Sequence, residues 1–209
     1  MSNWTAEAAA LAARWIVEEG LEYGPAKQRA AKQLGPALRR TEWPDNDQVE
    51  EAVREYLAVF GGDTQPAELA ALRAVAVRWM ERLAEFRPHL VGAVWRGTAT
   101  RHSNVHLNLY CDDSKSAEIQ LLNQGLDYDV GSTRGPRGKT VDLLVLADRG
   151  AELGGGVTVC LTILDHDDLR GGLRPDAQGR SRQGDLPALL RLLRSESGPA
   201  DLSSRPEFP

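Results

Sequence analysis

The chain has 209 residues, with 25 Lys and Arg against 30 Asp and Glu, for a net charge of −5. Its 42% hydrophobic and 26% charged content is ordinary globular usage, which excludes a wholly disordered, collagen-like or disulfide-dense chain. The acidic balance also argues against a strongly basic nucleic-acid module, while leaving room for a local basic patch.

Thr5 reads as a helix N-cap, and Ala8, Leu11, Ala12, Trp15 and Ile16 then share one helical face up to Gly20. Pro25 opens a second helix that Gly35-Pro36 closes. Val49, Val53, Tyr56, Leu57 and Phe60 form the stripe of a third helix, ended by Gly61-Gly62. Pro66 starts a longer fourth helix that buries Leu69, Leu72, Ala76, Trp79, Met80 and Leu83 and stops at Pro88. Residues 25–40 carry Lys27, Arg29, Lys32, Arg39 and Arg40 and no acid, whereas residues 41–63 are strongly acidic. Two helices of opposite sign can satisfy each other as a hairpin, although the basic run is also the one feature that invites RNA.

Beyond Pro88 the periodicity changes. Val91 to Trp95 is a short apolar run, read as a strand before Gly97. From Asn104 to Tyr110 the residues alternate: Val105, Leu107 and Leu109 on one face, Asn104, His106, Asn108 and Tyr110 on the other. That is a half-buried strand with a polar second face. Asp112 and Asp113 offer caps to a helix through Ile119 and Leu122. Three more strands are predicted near 126–130, 140–147 and 156–164, and the Gly- and Pro-rich segment Gly131–Gly138 is predicted to be an exposed, poorly ordered loop. A short helix is predicted over Leu186–Leu193. The fold class is therefore α+β, with N-terminal helices over 1–63, a mixed-sheet core over 64–194 and a disordered tail over 195–209.

The segment Val91-Gly92-Ala93, Arg96-Gly97-Thr98-Ala99, Ser103-Asn104-Val105-His106-Leu107 resembles the opening of the nucleotidyltransferase superfamily, the polymerase-beta-like fold. The helical leader resembles that of an uncharacterised bacterial group with the same core, some members of which carry the name UDP-N-acetylmuramate–alanine ligase. The resemblance implies a mixed sheet of nucleotidyltransferase type and a nucleotide site formed by Gly92, Ala93, Arg96, Thr98 and Ser103. In the family, two carboxylates two positions apart on one strand hold divalent metal, and a third on a later strand completes the site. Here those first two positions are Asn104 and His106, and the Ser of the family's Gly-Ser pair is Ala93. The third carboxylate has two seats: Asp142, or the final strand Val157–Thr162, which carries no acid.

Losing two carboxylates removes the charge that offsets dehydration of Mg²⁺. The expectation is thus a degenerate metal triad: Asn104, His106 and Asp142 at the catalytic positions, no cofactor unless the site is active with Mg²⁺, and binding of a nucleotide, RNA or protein partner without efficient transfer. Asn104 and His106 are expected to face a cleft floored by Gly92. An active transferase would need Asp142 plus Asp112 or Asp113, and the helical half alone would suit a regulatory interaction module.

Other clusters have plainer readings. Gly135-Pro136-Arg137-Gly138-Lys139-Thr140 looks like the ATP loop of Mur ligases, but Lys139-Thr140 runs into a strand where a phosphate loop needs a helix. Asp165-His166-Asp167-Asp168 could bind a cation and reads more simply as a capped turn. His102, His106 and Cys160 could converge if their strands are neighbours. Cys111 and Cys160 are the only cysteines and lie in no CxxC pair, which fits a reducing, cytoplasmic setting. Met1–Glu7 lacks the basic-then-apolar order of a signal peptide, and no apolar run approaches the ~18 residues of a membrane span.

Overall fold

The computed structural model describes residues 3–35, 43–148, 154–172 and 179–196. Pro36, Arg39 and Arg40 of the predicted basic run lie outside the described residues, as does the tail predicted over 195–209 except for Ser195 and Glu196, which are helical. The chain is α+β, and its helices come first. Helix α1 (Asn3–Glu19) buries Ala8, Ala9, Ala12, Ala13 and Ile16. It begins ahead of Thr5, which sits buried within the first turn. The small side chains let α1 lie against both α2 (Tyr23–Leu34) and α3 (Asn46–Phe60). Pro25 occupies the first turn of α2. Helix α3 starts at a reciprocal capping box: Gln48 N donates to Asp45 Oδ1 at 2.8 Å and Asp45 N donates to Gln48 Oε1 at 2.9 Å.

The predicted charge pairing between the second and third helices is redirected. Arg29 of α2 pairs with Glu19 of α1, and Lys27 donates to Asn46 Oδ1 at 2.8 Å. The acids of α3 turn elsewhere, Asp47 to Arg182 and Glu50 to Arg96. The physical reason is that α1 packs on both helices, so α2 meets its carboxylates on α1.

Helix α4 (Gln65–Arg82) buries Leu69, Leu72, Val75, Ala76, Trp79 and Met80 beneath the sheet. Arg73 is buried with them, 2% exposed; its Nε donates to Val94 O at 3.0 Å and its Nη1 to Glu196. Strand β1 (His89–Val91) lies ahead of the predicted run Val91–Trp95 and shares only Val91 with it. Gly92 turns the chain at φ +72, and Gly92–Arg96 forms the short helix α5, so Val94 and Trp95 are helical rather than extended. Strand β2 (Val105–Cys111) follows, then α6 (Ser116–Asn123), β3 (Asp129–Arg134), β4 (Thr140–Asp148), β5 (Val157–Asp165), α7 (Leu169–Gly172), β6 (Gln183–Gly184) and α8 (Leu186–Glu196).

The six strands form one mixed sheet in the order β3-β4-β5-β2-β1-β6. Only β2 and β5 pair in parallel; β1–β2, β1–β6, β3–β4 and β4–β5 are antiparallel. The alternation predicted for β2 is present: Val105, Leu107 and Leu109 are fully buried in the main core, while His106 and Asn108 stay half-buried on the other face. Tyr110 departs from it, buried on the polar face by a 2.9 Å bond to Gln183 Oε1 and an edge contact with His89. The predicted loop Gly131–Gly138 is also corrected. Gly131–Arg134 pairs with Thr140–Leu143 as strand, and only the turn between them is irregular, closed by Gly135 N to Lys139 O at 2.8 Å. Its Arg137 pairs with Asp168 Oδ1 at 2.6 Å.

Two apolar clusters result. One joins α1, α2 and α3; the other joins α4, the sheet and α8.

Candidate functional site: a cleft between the helices and the sheet

The two clusters meet at a polar seam, and a cavity of about 150 Å³ opens in it. Its sheet side is Val91, Gly92, Ala93, Arg96, Ser103, Asn104 and His106. Its helical side is Ile16, Gly20, Leu21, Glu22 and Tyr23, from the end of α1 and the turn into α2. Asn104 and His106 thus share a cleft with Gly92.

The turn reaches the sheet because Gly20, at φ +69, has no side chain: a Cβ there would stand 2.4 Å from His102 O. Two residues on, Glu22 extends its carboxylate into the cleft mouth. Asn104 Nδ2 donates to Glu22 Oε1 at 3.1 Å, and His106 Nε2 lies 2.8 Å from the same oxygen. With Glu22 as acceptor, His106 carries its proton on Nε2. The hydrogen bond from His106 holds the Glu22 carboxyl below its usual range, against the opposing effect of burial.

Deeper in the seam, Glu50 of α3 is 1% exposed. Its carboxylate accepts from Thr98 Oγ1 at 3.0 Å and from the Tyr23 hydroxyl, with Arg96 Nε at 3.0 Å and Arg54 Nη2 at 3.3 Å. Arg54 Nη2 also donates to Arg96 O at 3.0 Å. A buried carboxylate is tolerable only when donors and opposite charges gather on it in this way. Burial is also the main cause that pushes the Tyr23 phenol well above its ordinary value. Of the residues the resemblance assigns to a nucleotide, Arg96 and Thr98 are therefore engaged by Glu50. Ser103 accepts a 3.0 Å bond from Thr100 N, and Ala93 O accepts from Gly97 N and Thr98 N.

Of the remaining candidates, Asp112, Asp113, Asp142 and Asp165 line a second cavity beyond the ends of β2 and β5. On β5, Cys160 is the register partner of His106 and shares its face, so the sheet strand beside β2 offers a thiol there and no acid. That thiol is buried and pushed up to about 11, first by burial and then by the Glu22 charge. Asp142 lies on the opposite face: it alternates with Leu143, whose partner Thr162 lies on the His106 face. It stands 3.7 Å from Lys115 Nζ. Asp113 Oδ1 accepts from Lys115 N at 3.0 Å, and Asp165 Oδ1 from Asp167 N at 2.9 Å, so both acidic pairs serve turns. His102 is exposed in the turn before β2.

Mg²⁺ requires oxygen ligands. Asn104 turns its amide nitrogen toward Glu22, His106 offers nitrogen, and among the described residues no group of three or more His, Cys, Asp or Glu side chains is placed to hold a metal. The residues present do not fit a family-type metal pair. Glu22, Tyr23 and Glu50 were not singled out as site residues in the sequence. Glu50 carries a faint signal, an acid beside Val49 and Val53 on the buried stripe of α3.

Compared with protein-family models, curated proteins and solved structures, the chain finds no match in any of the three. Among the described residues, no helix is long and apolar enough to cross a membrane.

Proposed function

We propose that this chain carries a nucleotidyltransferase-type core whose cleft binds a nucleotide without efficient transfer. The observation that carries the reading is the occupancy of the metal-carboxylate positions by Asn104 and His106, both turned to a single oxygen of Glu22. The order helix, short strand, glycine turn, polar-faced strand supports the resemblance. With Cys160 beside His106 and Asp142 on the far face, the His106 face of the sheet lacks the charge that a two-metal transfer needs. Two convergent N–H donors suit an anionic oxygen rather than a metal ion.

Equilibrium dialysis of labelled ATP, with and without Mg²⁺, tests the proposal alongside pyrophosphate release from ATP. The expected result is binding that does not depend on Mg²⁺ and no pyrophosphate release above background. Pyrophosphate release that requires Mg²⁺ and disappears in His106→Ala would contradict it.

A further inference from the structure

We propose that Glu22 is an intramolecular plug: its carboxylate occupies the donor pair Asn104 Nδ2 and His106 Nε2 that an anionic ligand oxygen takes once the Glu22 side chain swings out. The inference rests on the nucleotide-binding reading of the cleft and adds its regulation.

Three observations carry it. First, Glu22 stands at the N-cap of α2 with an extended backbone, φ −67 and ψ 156, yet its side chain makes no cap bond. A shorter acid at that position would accept from the first helical N–H groups. The extra methylene of Glu carries the carboxylate past its own helix to residues 82 and 84 positions away. Second, both donors converge on one oxygen, Oε1. Two donors on one anionic oxygen are equally suited to a phosphoryl oxygen. Third, the two carboxylates of the seam differ in exposure. The Glu50 side chain is 2% exposed and held by the Tyr23 and Thr98 hydroxyls and the Arg54 and Arg96 guanidinium groups, a fixed joint between the helices and the sheet. The Glu22 side chain is 54% exposed at the cleft mouth, so water can solvate it as it leaves. Its neighbours Leu21 and Tyr23 stay packed on the helical cluster, so the Glu22 side chain can swing out while the turn holds its place.

The test compares the full-length wild type with Glu22→Ala and Glu22→Asp. The Asp variant keeps the charge and can cap α2, but it lacks the reach. Hydrogen exchange of the Leu21–Tyr23 and Asn104–His106 amides reports the plug directly, and calorimetric titration with ATP and with inorganic pyrophosphate, both without Mg²⁺, reports the site. Both variants are expected to exchange faster in these segments and to bind ATP about tenfold tighter than wild type, with melting temperatures close to wild type. Unchanged exchange in both variants overturns the plug, and so does equal affinity of all three proteins for ATP, which leaves nucleotide binding intact. If no protein binds ATP but the variants bind pyrophosphate tighter, the nucleotide reading falls and the plug stands. If neither probe binds the variants better than wild type, the plug falls.

Discussion

Glu50 brings a full charge into a site that is 1% exposed, and its hydrogen-bond and ion-pair partners come from three parts of the chain: Tyr23, Arg54 and the Arg96–Thr98 segment. Removing one partner of a buried pair leaves the other charge uncompensated, at a cost of about 3 kcal/mol or more. Arg96→Ala should therefore lose about that much stability by urea denaturation; a loss below about 1 kcal/mol would show that water replaces the guanidinium. The thiols give a second residue-scale expectation. Cys111 and Cys160 are buried and each is pushed up to about 11, chiefly by burial. At pH 8 both should be protonated and unreactive toward a disulfide reagent until the protein unfolds. The Glu22 carboxyl titrates lower in the folded chain than in the unfolded one, because His106 donates to it. Its contribution is thus complete above the ordinary carboxylate range and lost as pH falls through the lowered folded value. Between pH 6 and pH 3, wild type should lose more stability than Glu22→Ala, as read by denaturation midpoints. At this scale the polar face of β2 was legible from alternation alone. Glu22 was not, because nothing local in the sequence relates a turn residue to partners more than eighty positions on.

The elements were most legible where periodicity was long. The α4 stripe, β2 and α8 lie where their apolar spacing puts them, and so does the α3 stripe except for Phe60, which is exposed. Short runs were ambiguous: Val91–Trp95 reads as strand by composition, but Gly92 at φ +72 breaks it and the residues after it wind into α5. In β3, Gly131 looked like a loop residue, yet β4 continues past it and offers a full set of partners, so pairing overrides local preference. The two cleft glycines separate backbone from steric effects. Both have positive φ, but a Cβ on Gly92 meets nothing closer than 3.9 Å, whereas one on Gly20 would stand 2.4 Å from His102 O. Gly92→Ala should cost about 1–2 kcal/mol for the left-handed backbone. Gly20→Ala should cost more than that and should loosen the α1–α2 turn; equal costs by thermal denaturation would show that the turn does not press on the sheet.

Taken whole, the molecule is two apolar clusters joined by a seam of carboxylates and their donors, with the cleft lying in that seam. The α+β class followed from the change of period after Pro88, which is a property of the sequence alone. The seam did not, since it depends on which surfaces of the helices and the sheet meet. The central claim is that Asn104 and His106 do not make a metal site, and calorimetric titration of wild type with Mg²⁺ tests it most directly. Wild type is predicted to show no saturable binding at micromolar Mg²⁺, and Asn104→Asp with His106→Asp is predicted to raise the affinity. Micromolar affinity for Mg²⁺ in the wild-type protein would contradict the account.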